Sequence, residues 1–240
     1  MAQQLRDAGF RWEFVDGIRG RALGDFPVGY DRRRRLQYYG YDLSWGELGC
    51  LLSHRKAWAR VVELKEVCLV LEDDVTLLPN YPAVERIALD LFDRWDLFRL
   101  HSGQEKWPVR LVHRSEHLVF ENLGDPGSAA AFLIKPSAAK RLLEDSQSFF
   151  MMNDDFIESR FIHHQRILAI CPYPFEAGWG DSTISDRRLP LLNSLKRLRR
   201  EIYRIPYGLR RAFWQGSRWT ALILMRLIPG WIARLPTTRH

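Results

Sequence analysis

Apolar positions along the chain switch between two spacings, one that suits strands and one that suits helices. Phe10-Arg11-Trp12-Glu13-Phe14-Val15 alternates apolar and polar, the period of a half-buried strand, and Asp16-Gly17 turns it. Before it, residues 1–8 read as a short helix that Gly9 stops, and after it residues 18–42 are basic, aromatic and mostly loop. Ser44-Trp45-Gly46-Glu47 is a capping box, with Ser and Glu each placed to satisfy free backbone N–H groups. The following run to Leu64 is apolar at Leu48, Leu51, Leu52, Trp58, Val61 and Val62, which predicts a helix with one face in the core. Val67-Cys68-Leu69-Val70-Leu71 is apolar throughout and predicts a strand covered on both faces. Strands are further predicted at Asp96–His101, Leu118–Phe120, Ala129–Ile134 and Ile167–Ile170, and helices over Pro82–Leu91 and Pro136–Glu144. Helices alternating with apolar strands give an α/β class.

Charge divides the 240 residues unevenly. Residues 1–186 carry 23 Lys and Arg against 28 Asp and Glu, whereas residues 187–240 carry 13 against the single acid Glu201. An acidic body with a basic tail is not the footprint of a nucleic-acid-binding surface, so no nucleic-acid partner is expected. The division predicted is a body over residues 1–188 and a basic amphipathic helical tail over 189–240. In the tail, Leu192, Leu195, Leu198, Ile202 and Ile205 recur every three or four residues among Lys196, Arg197, Arg199, Arg200 and Arg204, with Trp214, Trp219 and Trp231 following. Such a segment suits the surface of an anionic membrane; in the alternative, Leu192, Leu195 and Leu198 pack on the body. Three cysteines without a CxxC pair argue against a disulfide framework or structural zinc and for a reduced, cytoplasmic setting. The first residues lack an apolar h-region and no run of about 18 apolar residues occurs, so a peripheral place on the inner face of the cytoplasmic membrane is expected.

The candidate chemistry lies where the Val67–Leu71 run stops abruptly in Glu72-Asp73-Asp74. Ligands of open α/β sheets bind beyond the carboxyl ends of strands. Carboxylates crowded there repel one another unless a cation joins them, and a hard divalent ion, Mg²⁺ or Mn²⁺, takes oxygen ligands. On an extended segment Glu72 and Asp74 point to one side and Asp73 to the other. A solvated acidic turn is the competing reading of the same triplet.

Several segments, in order, resemble glycosyltransferase family 25, the lipopolysaccharide-biosynthesis glycosyltransferases. They are Trp12 to Gly20; Leu43-Ser44-Trp45-Gly46-Glu47-Leu48-Gly49-Cys50-Leu51-Leu52-Ser53-His54 with Trp58; Val70-Leu71-Glu72-Asp73-Asp74-Val75; Gly127 to Ile134 with Ala138 and Leu142; Asn153-Asp154-Asp155-Phe156; and Asp181-Ser182-Thr183-Ile184-Ser185. The resemblance implies a nucleotide-diphospho-sugar transferase domain of the GT-A type, Rossmann-like, and an inverting transfer, usually of galactose from UDP-galactose to a saccharide on lipid. It implies Asp74 and Asp73 as metal ligands, Glu72 and Asp73 on the donor side, and Asp154 or Asp155 as general base or a further metal contact. Ser53, His54 and Ser182 are implied donor contacts, although a packing role for His54, a turn role for Ser182 and helix capping by Asp154 explain them equally. The family's first strand, which helps form the nucleotide pocket, has no counterpart ahead of Met1–Gly9, so either a start codon placed too far downstream or a truncated copy is expected. Two other functions compete: a truncated, inactive member that binds membrane or partner proteins, and a metal-dependent phosphohydrolase, which would want more His and Asp ligands at short spacing.

Overall fold

The computed structural model describes residues 1–178 and 194–227. Six strands form one mixed sheet: β1 (Cys68–Leu71), β3 (Leu97–Arg99), β4 (Pro108–Arg114), β5 (His117–Asn122), β6 (Ala131–Ile134) and β7 (Ile167–Cys171), in the order β1-β6-β3-β7-β5-β4. Only β3 and β7 pair in parallel among the described strands; β6 runs antiparallel to both β1 and β3, and β5 antiparallel to β7 and β4. The strands β1, β3 and β7 therefore point the same way, and their carboxyl ends share one edge of the sheet. A separate two-stranded ladder joins β2 (Val75–Leu77) to β8 (Phe175–Ala177) beside that edge. The α/β class holds; the sheet is mixed rather than the parallel sheet that a Rossmann-like reading suggests.

Side-chain alternation splits the core in two. On β6, Phe132 and Ile134 enter a cluster with Leu48, Leu51, Trp58, Val61, Ala139 and Leu142, which belong to α3 (Trp45–Leu64) and α5 (Pro136–Asp145). Ala131 and Leu133 enter the opposite cluster, with Val84 and Ala88 of α4 (Tyr81–Asp90), Trp95 and Phe175. One sheet is thus covered on both faces, as the period-two pattern of strands requires.

Three expectations need correction. Phe10–Val15 forms no strand, and Phe14 is exposed. Its alternation finds no ladder partner; the segment lies along α3 instead, held by Arg60 donating to Glu13 at 2.5 Å and by the Lys56 ammonium on the Asp16 carbonyl at 2.7 Å. The run at β1 is only half-buried, because β1 is the outer strand of the sheet and pairs with β6 alone among the described residues. Residues 18–42 contain a helix, α2 (Arg32–Tyr39), capped by the Asp31 side chain accepting from the Arg34 N–H at 2.9 Å and closed by Gly40 in the left-handed region. Four consecutive cations hide its period, yet Arg35 is buried, its guanidinium 3.8 Å from the Tyr39 ring centroid.

The loop before α2 touches α3 backbone to backbone. A Cβ at Gly20 would lie 1.6 Å from the Trp45 carbonyl oxygen, and one at Gly49 would lie 2.5 Å from the Ile18 oxygen. Glycine is required at both positions by space alone.

The tail forms one long helix, α8 (Ser194–Leu227), and one of its faces packs on the body. Arg218 reaches Glu121 of β5 at 2.8 Å, the Gln215 amide donates to the Leu123 carbonyl at 2.7 Å, and Leu222 is buried against Val109 and Leu123. Glu121 also accepts from Arg160 at 3.2 Å, and Arg160 approaches Glu158, which pairs with Arg99 of β3. Of the tail leucines proposed to pack on the body, Leu198 is 60% exposed, while Leu192 and the Leu195 side chain lie outside what the structure describes. Aromatic and polar residues, together with Leu222, make this interface. Because the Glu121 side chain is 2% exposed between two guanidinium groups, Glu121→Ala leaves two cations without their shared partner. A loss of about 3–5 kcal/mol in urea-unfolding stability is expected, together with faster proteolysis of α8.

Candidate active site

The shared carboxyl edge of β1, β3 and β7 brings together groups that are far apart in sequence. Glu72 follows β1; its N–H donates to the Ala130 carbonyl at 2.8 Å, which ties the triplet to the segment entering β6. Its side chain meets His54 of α3, with Oε1 3.3 Å from Nε2. The His54 ring is buried and stacks on Phe132, and its Nδ1 has no hydrogen-bond partner. One helical turn before His54 lies Cys50, and ligand-type atoms of Cys50, His54 and Glu72 all fall within 4.8 Å of one another.

Opposite the triplet, the loop Gly127–Ser128 is held in an unusual backbone. Both residues have positive φ, 65° and 64°, a conformation that costs a residue with a Cβ of order 1 kcal/mol. Arg99 supports it by donating to the carbonyls of Gly127 and Ser128. The loop then projects two groups: the Ser128 N–H donates to Asp154 Oδ2 at 3.1 Å, and the Ser128 hydroxyl lies 2.9 Å from His101 Nδ1. His101 emerges just after β3. Burial, followed by the Arg99 charge, pushes its pKa down against the pull of Glu72, Asp74 and Glu176, so it is neutral at neutral pH.

Asp154 and Asp155 begin α6 (Asn153–Glu158), and neither caps it: the N-cap is Met152, without a side-chain hydrogen bond. Successive helical residues diverge by about 100°, and the two carboxylates part company. Asp154 turns to the Ser128 N–H and toward Glu72. Its pKa is raised by burial and then by the Glu72 charge, with Arg99, His54 and the Ser128 N–H opposing. Asp155 turns to α2 and accepts from the Tyr39 hydroxyl at 3.1 Å; burial and Asp125 raise its pKa too.

The remaining expected residues fall as follows. Asp73 and Asp74 are exposed, and neither side chain has a hydrogen bond or ion pair with another described residue. Ser53 has its hydroxyl committed: it accepts from the Ile18 N–H at 2.8 Å and donates to the Gly49 carbonyl at 2.7 Å, fastening the glycine contact. Ser182 lies outside the described residues. His101, Ser128 and Arg99 went unrecognised in the sequence, although His101 ends a predicted strand on the edge that also carries the triplet.

As for a metal ion, two donor sets are present. Cys50, His54 and Glu72 offer one thiol, one imidazole and one carboxylate, a mixed set suited to a borderline ion such as zinc. The Cys50 thiol is pushed up to about 12 by burial and by Glu72, Asp154 and Glu47, so without a metal it is protonated. Asp73 and Asp74 offer two exposed carboxylates at a strand end, which fits a hard dication that takes its remaining oxygens from water and a phosphorylated ligand.

With this geometry in place, comparison with known proteins is decisive. The family model described as glycosyltransferase family 25 (LPS biosynthesis protein) matches residues 1–157. The chain belongs to glycosyltransferase family 25. Similar proteins include a glycosyltransferase 25 family member of Aedes aegypti, 31% identical over 185 residues, or 68% of this chain and 28% of that protein. One from Anopheles gambiae is 30% identical over 168 residues, covering 63% of this chain and 27% of the relative. A mouse relative named inactive glycosyltransferase 25 family member 3 is 30% identical over 172 residues, covering 63% of this chain and 27% of its own length. The chain thus spans less than a third of these curated relatives. The family 25 match takes in the acidic triplet, His54, Ser128 and Asp154, whereas α8 lies beyond it.

Asp154 makes this family 25 site pH-sensitive. An acid whose folded-state pKa is raised favours folding below its unfolded value, and that contribution is lost as pH rises through the folded value. Asp154→Asn, which keeps an acceptor for the Ser128 N–H, should therefore be more stable than the parent at neutral pH. The gain should fade toward about pH 4, as read from thermal unfolding across that range.

Proposed function

We propose that this chain transfers a sugar from a nucleoside diphosphate sugar to a hydroxyl of a saccharide acceptor, with inversion at the anomeric carbon. The donor proposed is UDP-galactose and the acceptor a lipopolysaccharide or other lipid-linked glycan. The observation that carries this reading is the Asp154 carboxylate. It is held by the Ser128 N–H at 3.1 Å, raised in pKa, and close enough to Glu72, just beyond the end of β1, to feel its charge.

In this reading the acceptor hydroxyl attacks the anomeric carbon as its proton passes to Asp154. The bond from that carbon to the diphosphate oxygen breaks, and the diphosphate leaves with the electron pair. A base whose pKa lies above the ordinary carboxylate range suits this task. Asp155, bound to Tyr39, positions α6 rather than meeting the acceptor. Glu72 is the donor-side carboxylate, oriented by His54, and His101 is a neutral hydrogen-bonding group steadied by Ser128. Asp73 and Asp74 would hold Mn²⁺ or Mg²⁺, which supplies charge neutralisation for the departing diphosphate when bound.

Calorimetry of UDP binding with and without Mn²⁺, followed by a panel of UDP-sugars, tests the reading. Metal-assisted UDP affinity should be present and should be lost in Asp74→Ala. Asp154→Asn should keep nucleotide affinity while losing roughly 10²–10⁴-fold in turnover. UDP affinity that is absent, or indifferent to metal and to Asp74→Ala, would instead favour a non-catalytic member such as the mouse relative's name describes.

A further inference from the structure

Helix α8 has two faces with different fates. Tyr207, Trp214, Gln215, Arg218 and Leu222 lie on the side that meets the body. At about 100° per residue, the opposite side carries Leu198, Ile202, Ile205, Leu209 and Phe213, with Trp219 at its margin. These six are exposed by between 53% at Trp219 and 81% at Phe213. The stripe is continuous over more than five turns and no described residue covers it. The docked face fixes which way the stripe looks, because Arg218 is locked on Glu121 by three hydrogen bonds of 2.8 to 3.2 Å.

Charge identifies the occupant. Within Ser194–Leu227 there are nine Lys and Arg residues and one acid, Glu201, which pairs with Arg200 at 2.7 Å. Arg199 and Arg210 flank one margin of the stripe, and both are exposed. A second copy of the chain would set cations against cations across such an interface. A flat anionic surface with an apolar layer beneath matches both the stripe and its margins. Among the described residues no helix is long and apolar enough to cross a membrane, so the helix would lie along the surface rather than span it.

We propose that the outer face of α8 is a docking surface for an anionic lipid bilayer, with the apolar stripe at acyl-chain depth and the flanking arginines on lipid phosphates. The inner face meanwhile keeps the body attached. Tyr207 contacts Ser159 at 3.0 Å, one residue beyond α6, so this lipid face lies about one helix diameter, some 10 Å, from the helix that carries Asp154.

The test is co-sedimentation of the full chain with vesicles of phosphatidylcholine alone and of phosphatidylcholine mixed with phosphatidylglycerol. Binding is expected only to the mixed vesicles. The double variant Ile205→Glu, Leu209→Glu should bind at least about tenfold more weakly, and Arg199→Gln with Arg210→Gln should reduce the preference for the anionic lipid. All four positions are exposed, so thermal unfolding should be unchanged and serves as the folding control. Equal binding by the parent and the double glutamate variant would overturn the proposal. So would a dimer in solution that the same variant dissociates, since the stripe would then be a contact between copies. Vesicle binding is read without donor or acceptor, and so stands apart from the nucleotide calorimetry.

Discussion

Buried charge governs this molecule. Arg160 is 2% exposed, and a guanidinium so far from water is tolerable only among carboxylates and carbonyls that replace its hydration. Glu121, Glu158 and the Asn122 carbonyl provide them, and each acid is shared with a second arginine, Arg218 or Arg99. The result is an alternating row of charges running from α8, through β5 and the junction after α6, to β3. At one end it anchors the terminal helix; at the other, Arg99 holds the Gly127–Ser128 backbone in its left-handed turn. Tail and site are connected by the same electrostatic requirement.

That turn binds one of two neighbouring acids and not the other. Asp154 and Asp155 are both withdrawn from solvent, and both are harder to ionise as a consequence. Their partners differ: a backbone N–H beside Glu72 and His101 for one, a tyrosine on α2 for the other. A rotation of one helical step separates a carboxylate bound to the Ser128 N–H from one bound to the Tyr39 hydroxyl. Family 25 membership and the geometry meet at this point, since the matched region ends just after these residues.

Much of this was legible in the chain, for reasons that also mark where legibility ends. The capping box at Ser44 and the period of α3 were readable because capping and amphipathicity are local. The strand β6 was readable because it is buried on both faces and uniformly apolar. Phe10–Val15 carries strand alternation without a strand, because a ladder needs a neighbour that no local pattern announces. Helix α2 was hidden by its own arginines, of which Arg35 alone is buried, against the rings of Tyr39 and Tyr41. The acidic triplet could be placed at a strand end, but its companions His101 and Ser128 arrive through the order of strands in the sheet, which spacing does not encode. In the tail, the greasy stripe was visible, while the docked face, where Tyr207, Trp214, Gln215, Arg218 and Leu222 meet the body, mixes aromatic, polar and apolar residues and does not stand out from its neighbours.

The contact between Gly20 and Gly49 has one more implication. Because main chain abuts main chain, with Ser53 bonded to Ile18 across the seam, the irregular stretch around Ile18 has no slack of its own. It lacks regular hydrogen bonding yet can open only when the start of α3 opens with it. In hydrogen exchange the Ile18 amide would belong to the helix's cooperative unit rather than to the loops, and a segment that looks like coil would behave as part of the scaffold.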